Sequence, residues 1–93
     1  GYGAPAKGNT LLNYYNIDEN LIDFIIDTTP LKQWLYTPGS RIKVYPPDKL
    51  KEERPDYLLL LAWNYADAIM KNEKEFSDNG GKFIIPVPDI RII

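Results

Sequence analysis

The sequence specifies an α/β fold with an open, mostly parallel sheet flanked by helices, and three observations predict it. Strand-like and helix-like segments alternate along the chain. The run Tyr57–Trp63 (YLLLLAW) is continuously apolar and of strand length, the pattern of a strand buried on both faces of a parallel sheet. The chain opens on Gly1-Tyr2-Gly3-Ala4-Pro5-Ala6-Lys7-Gly8-Asn9, three glycines and a lysine leading into a helix-like segment. Such a turn normally connects a strand to a helix, its glycines letting the backbone approach a neighbour or ligand closely.

Helical spacing of Leu11, Leu12 and Tyr15 predicts a short helix over Thr10–Ile17, with Asn9 or Thr10 as its cap. Leu21–Thr28 (LIDFIIDT) is rich in isoleucine and closed by Thr29-Pro30, which reads as a strand. Residues 31–38 are irregular, and Thr37-Pro38-Gly39-Ser40 has the residues of a turn. Arg41–Tyr45 is a short strand stopped by Pro46-Pro47, and Asp48–Glu53 supplies one or two helical turns. After the apolar run, Asn64 is placed to cap a helix over Tyr65–Ser77 whose stripe is Ala66, Ile69, Met70 and Phe76. Gly80-Gly81 ends it, and Lys82–Val87 (KFIIPV) forms the last strand, which Pro86 assigns to a sheet edge.

The strand that feeds the opening turn is expected upstream of Gly1, between Leu21–Thr28 and Tyr57–Trp63 at the sheet centre. The 93 residues therefore read as one Rossmann-like domain cut from a longer protein, lacking its first strand. Without that strand, open backbone groups beside an apolar strand favour self-association or a borrowed strand. In open sheets of this kind ligands sit beyond the carboxyl ends of the strands, where residues 1–8, 27–30 and 63–65 fall.

Composition narrows the chemistry. Thirteen acidic and eleven basic side chains leave a net charge of -2, which argues against a general nucleic-acid surface. The chain has no cysteine and no histidine, so neither a disulfide framework nor a zinc site is expected within it. The longest apolar run is far below the ~20 residues of a membrane span. No signal peptide is visible, and a cytoplasmic location is expected.

The glycines at 1, 3 and 8 follow neither the dinucleotide spacing nor the P-loop, because Asn9 stands where Lys and Ser/Thr would follow. The helix start still favours an anion, and Lys7 supplies a point charge suited to a diphosphate. Against this stand a connection that needs glycine only for shape and a solvated lysine. Asp27 lies 24 residues after Gly3, near the distance at which an acid meets a ribose hydroxyl in dinucleotide folds, or serves as a solvated or capping aspartate. Asn64 is first a helix cap and second a ligand contact. No paired acids and no nucleophile with a base are placed together, so no catalytic residue is assigned.

Three blocks, GYGAPAKGNTLLNYY, RPDYLLLLAWNYADAIM and GGKFIIPVPDIRII, resemble the C-terminal domain of the sugar C-methyltransferases, and the similarity spans essentially all 93 residues. The resemblance implies enzymes that use S-adenosylmethionine to methylate a carbon of a nucleotide-linked deoxysugar. It implies a zinc-binding N-terminal part, a middle methyltransferase domain that binds the methyl donor, and this domain last, helping to hold the nucleotide sugar. Under it, Gly3, Lys7, Gly8 and Asn9 become diphosphate or sugar contacts and Asn64 the next candidate; no metal or methyl-donor motif falls in this stretch. The competing class is a non-catalytic nucleotide-binding or domain-interaction module, separated from the first by a methyl-donor motif and cysteine cluster upstream.

The 93 residues alone are expected to transfer no methyl group from labelled S-adenosylmethionine to nucleotide sugars. Turnover above the uncatalysed background overturns this assignment.

Overall fold

A computed structural model describes residues 1–93. The elements run α1 (Ala6–Tyr14), β1 (Ile25–Ile26), β2 (Val44–Tyr45), α2 (Asp48–Glu53), β3 (Tyr57–Leu59), α3 (Ala66–Asn72), α4 (Lys74–Asp78), β4 (Lys82–Ile85) and β5 (Arg91–Ile92). Short 3₁₀ turns occupy Pro30–Lys32 and Trp63–Tyr65.

β1 and β2 pair in parallel, with Ile25 opposite Val44. β3 and β4 also pair in parallel, with Leu58 opposite Phe83, and β5 closes that sheet antiparallel to β4, with Ile84 opposite Ile92. The backbone of Gly1–Gly3 lies between the two sheets. Tyr2 bridges Ile26 on one side and Leu60 on the other, both in parallel. Its ladder comprises Tyr2 N to Leu59 O at 2.8 Å, Leu61 N to Tyr2 O at 3.0 Å, Ile26 N to Gly1 O at 2.8 Å and Gly3 N to Ile26 O at 2.6 Å. The spatial order is thus β2, β1, Gly1–Gly3, β3, β4, β5. The expectation that this central strand lies upstream of Gly1 and is missing from the sheet is corrected: Gly1–Gly3 themselves stand in its place and pair with both neighbours, which leaves no open gap beside β3.

Side chains alternate across this sheet with period two, so the core divides into two clusters on its opposite faces. One contains Tyr2, Ile26, Leu58, Leu60, Phe83 and Ile85, covered by Leu50 of α2 and by Ala66 and Ile69 of α3. The other contains Ile25, Val44 and Leu61 under Leu12 of α1. Leu58, Leu60 and Leu61 are essentially inaccessible, as a doubly buried strand requires. Burying each such side chain contributes about 1.5–3 kcal/mol.

Several expectations shift, among them the strands over Arg41–Tyr45 and Tyr57–Trp63, which shorten to Val44–Tyr45 and Tyr57–Leu59. α1 begins at Ala6 rather than Thr10 because Pro5, extended at φ -77° and ψ 162°, forms its N-terminal boundary. Proline has no N–H to lose there. β1 keeps only two residues in the ladder. The helix expected over 65–77 is two helices separated at Glu73. Pro86 does not mark an edge: β4 stops at Ile85 and β5 takes the edge position. α2 spans the expected Asp48–Glu53. Gly80 is left-handed at φ +96°, and Gly81 N bonds Phe76 O at 3.0 Å, closing α4 as expected of a glycine terminus.

Tyr2 also ties the sheet to the α3–α4 junction, its hydroxyl donating to Glu73 Oε2 at 2.8 Å. Burial, then the bond to the Glu73 carboxylate, push the Tyr2 phenol well above its ordinary range. A raised folded pKa means that the native state holds its proton longer than the unfolded chain. The stability is full below about pH 10 and falls as pH rises beyond it. Urea unfolding between pH 9 and pH 11 should show this loss, and Tyr2→Phe should diminish it. An unchanged pH slope in Tyr2→Phe contradicts this reading.

Candidate functional site at the carboxyl ends of the strands

The glycine turn is shorter than its sequence pattern. Only Gly3, Ala4 and Pro5 form it, and Lys7, Gly8 and Asn9 belong to the first turns of α1. Gly3 has φ +87°, and a Cβ there would lie 2.8 Å from the Ala62 Cβ. Conformation and space both require glycine. Gly8 is buried, and a Cβ on it would lie 2.9 Å from the Leu61 Cβ and 3.1 Å from the Leu61 carbonyl oxygen. Glycine here lets α1 rest directly on the chain leaving β3.

Asp27 secures the turn. Its side chain is 7% exposed; Oδ2 accepts the Ala4 N–H at 2.8 Å and Oδ1 the Thr29 N–H at 2.8 Å. The Asp27 carbonyl oxygen accepts from Gln33 Nε2 at 2.8 Å. A buried carboxylate with two amide donors has its charge compensated. Asp27 is therefore a clamp between the glycine turn and the loop after β1, a role distinct from the ribose contact its spacing offers. The signal in the sequence was an acid ending one strand beside a turn of open amides.

Lys7 is exposed, and its Nζ lies 5.9 Å from the centre of the Trp63 ring. This pairing, worth about 0.5–1 kcal/mol at an exposed position, was not legible from spacing. Asn64 is exposed within the 3₁₀ turn and caps nothing; Tyr65 precedes α3, with no side-chain cap. Asn9 turns elsewhere: its Oδ1 accepts from Ser40 Oγ at 3.2 Å. Ser40 in turn contacts Thr37, whose Oγ1 accepts Ile42 N–H at 3.0 Å. Asn13 Nδ2 adds a bond to Pro38 O at 3.2 Å, so the Thr37–Ser40 turn is fastened to α1.

The structure thus gathers Gly3, Lys7 and Gly8 beside Leu61–Trp63, leaves Asn64 exposed in the turn that follows, and turns the Asn9 oxygen toward Ser40. The start of α1 has no capping side chain and no acidic residue in its first turn. Its leading N–H groups and Lys7 present positive potential at one spot. No group of three or more His, Cys, Asp or Glu side chains is placed to hold a metal ion. No helix is long and apolar enough to cross a membrane. A cleft of about 460 Å³ opens beside Arg54, Asp56, Glu73 and Gly81, ahead of β3 and β4 and so at the opposite end of the sheet.

The family described as the C-methyltransferase C-terminal domain matches residues 1–88. The chain belongs to this family. It is 53% identical over 93 residues to the C-methyltransferase NovU of Streptomyces niveus, covering 100% of this chain and 22% of that protein. The chain spans about a fifth of the length of this curated relative, at 22%. In this C-methyltransferase C-terminal domain, the glycine turn and its aspartate clamp are the most tightly specified features of the strand ends.

Gly3→Ala should destabilise the domain by about 1–3 kcal/mol, combining a forced left-handed alanine with a clash at Ala62. Asp27→Ala should cost about 1–3 kcal/mol for each amide left unpaired, and Asp27→Asn less, because one acceptor remains. Denaturant titration of the full-length protein checks both. Wild-type midpoints in Gly3→Ala and Asp27→Ala contradict the clamp.

Proposed function

We propose that this domain holds the nucleotide-linked deoxysugar in a C-methyltransferase that uses S-adenosylmethionine. The methyl donor, and a zinc site in the N-terminal part, belong to the remainder of the protein. One observation carries the reading: an uncapped helix start, a lysine in no ion pair and two shape-required glycines lie at the carboxyl ends of parallel strands. The strand order through Tyr2, with helices over both faces, supports a Rossmann-like sheet. This fold places phosphate groups at such a turn.

In this reading the diphosphate lies against the amides of Ala6–Gly8, with Lys7 released from Trp63 to meet it. Gly3 and Gly8 keep the backbone close, Asn64 offers its amide from the facing turn, and the Asn9 amide nitrogen contributes from the second turn of α1. The domain supplies binding and orientation, and the upstream methyltransferase domain supplies the transfer. The protein acts in the cytoplasm.

A second reading, a non-catalytic interaction module, draws on the exposed aromatic side chains Tyr14, Tyr15 and Tyr65, which leave apolar surface for a neighbouring domain.

Lys7→Ala in the full-length protein should weaken nucleotide-sugar binding by about 1.5–3 kcal/mol, the loss of one charge-assisted contact, and spare the methyl donor. Titration calorimetry with both ligands tests it. Unchanged sugar affinity returns Lys7 to solvent, and loss of both ligands marks a folding defect, which overturns the assignment of a phosphate contact.

A further inference from the structure

Trp34 has a conformation that packing does not explain. Its φ is +71°, a left-handed backbone that a bulky side chain rarely adopts. The residue is nonetheless 59% exposed. Strain retained at an exposed aromatic points to use of the ring. Two backbone bonds impose the conformation: Trp34 N–H to Val44 O at 2.6 Å and Val44 N–H to Leu35 O at 2.8 Å. They lay the Trp34–Tyr36 segment along the outer edge of β2. The indole then stands edge-on to Tyr45, with centroids 5.5 Å apart at 73°.

Lys43 completes the arrangement. Its Nζ lies 5.8 Å from the Trp34 ring, 5.6 Å from Tyr36 and 5.6 Å from Tyr45, and it forms no ion pair. The neighbouring Gln33 is bonded to the carbonyl of Asp27, whose carboxylate holds the glycine turn. The indole and the glycine turn are therefore connected through Gln33 and Asp27. A solvent-exposed indole with an ammonium over its ring and no ion pair has the chemistry of a nucleotide subsite, able to stack a flat base and attract a negative charge.

We infer that Trp34 is the stacking platform for the base of the bound nucleotide, with Lys43 steering its phosphates toward the glycine turn. The inference rests on the nucleotide-sugar reading above and deepens it, because it divides the ligand between two tryptophans. Trp34 meets the base, and Trp63, beside Lys7, senses the diphosphate.

The division supplies the test. The full-length protein is labelled with fluorotryptophan, and the two resonances are assigned by fluorine NMR from Trp34→Phe and Trp63→Phe. Thymidine, uridine, adenosine and guanosine are titrated singly, and inorganic pyrophosphate separately. At least one nucleoside should move the Trp34 resonance saturably and leave Trp63 in place, and pyrophosphate should do the reverse. Trp34→Ala should weaken the matching nucleoside diphosphate about tenfold or more, with Trp34→Phe keeping most of the affinity. Trp34→Gly, which suits the left-handed backbone, should retain the melting temperature and lose the same affinity. Nucleosides that leave Trp34 unmoved, or wild-type affinity in Trp34→Ala, overturn the inference. If pyrophosphate still moves Trp63 in that case, the glycine-turn reading stands; if it does not, both fall.

Discussion

The parallel ladder through Tyr2 is the interaction on which the rest depends. Its backbone joins β1 to β3 and so makes one surface of two short sheets. The two-residue β1–β2 pair is too short to be stable alone and gains its support from being joined to β3–β4–β5. Joined, they present the alternating faces that α1 covers on one side and α2 and α3 on the other. The Tyr2 side chain adds a second tie, because its bond to Glu73 reaches the point where the long helix divides.

The same three residues deliver the glycine turn. Immediately after Tyr2, Gly3 reverses the chain against Ala62, and Asp27 fixes Ala4 before Pro5 starts the helix. The direction of α1 is thereby set by the sheet itself rather than by a capping side chain. Gly8 lets the first turn of α1 rest against Leu61, on the chain leaving β3. Sheet continuity, turn geometry and the exposed positive helix start form a single chain of causes. Disturbing the aspartate clamp should therefore affect stability and the shape of the strand ends together.

Polar groups in this domain are spent mainly on structure. Asp27, Thr37 and Ser40 are the buried polar side chains, and each has hydrogen-bond partners. No buried side-chain nitrogen or oxygen lacks one. Toward solvent, cations meet aromatic rings at two places: Lys7 with Trp63, and Lys43 among Trp34, Tyr36 and Tyr45. Such pairs are weak at exposed positions and exchange readily for a ligand that brings both a ring and negative charge. The binding role proposed above draws on this distribution.

The sequence by itself determined the alternation of strands and helices, the buried Leu58, Leu60 and Leu61 of the apolar run, α2, and the glycine close of α4. These follow from local periodicity and from residues with restricted backbone freedom, which act over a few positions. It also marked Gly3 and Gly8, since glycines before a helix signal close approach. Only the tertiary structure decided what each polar group meets. Asp27 binds Ala4 across 23 residues and Asn9 meets Ser40 across 31, while β5 takes the edge position from β4. Lys7 lies over Trp63, and the left-handed Trp34 is fixed by its bond to Val44. Spacing along the chain carries no record of these meetings, because they depend on how the strands are ordered in the sheet.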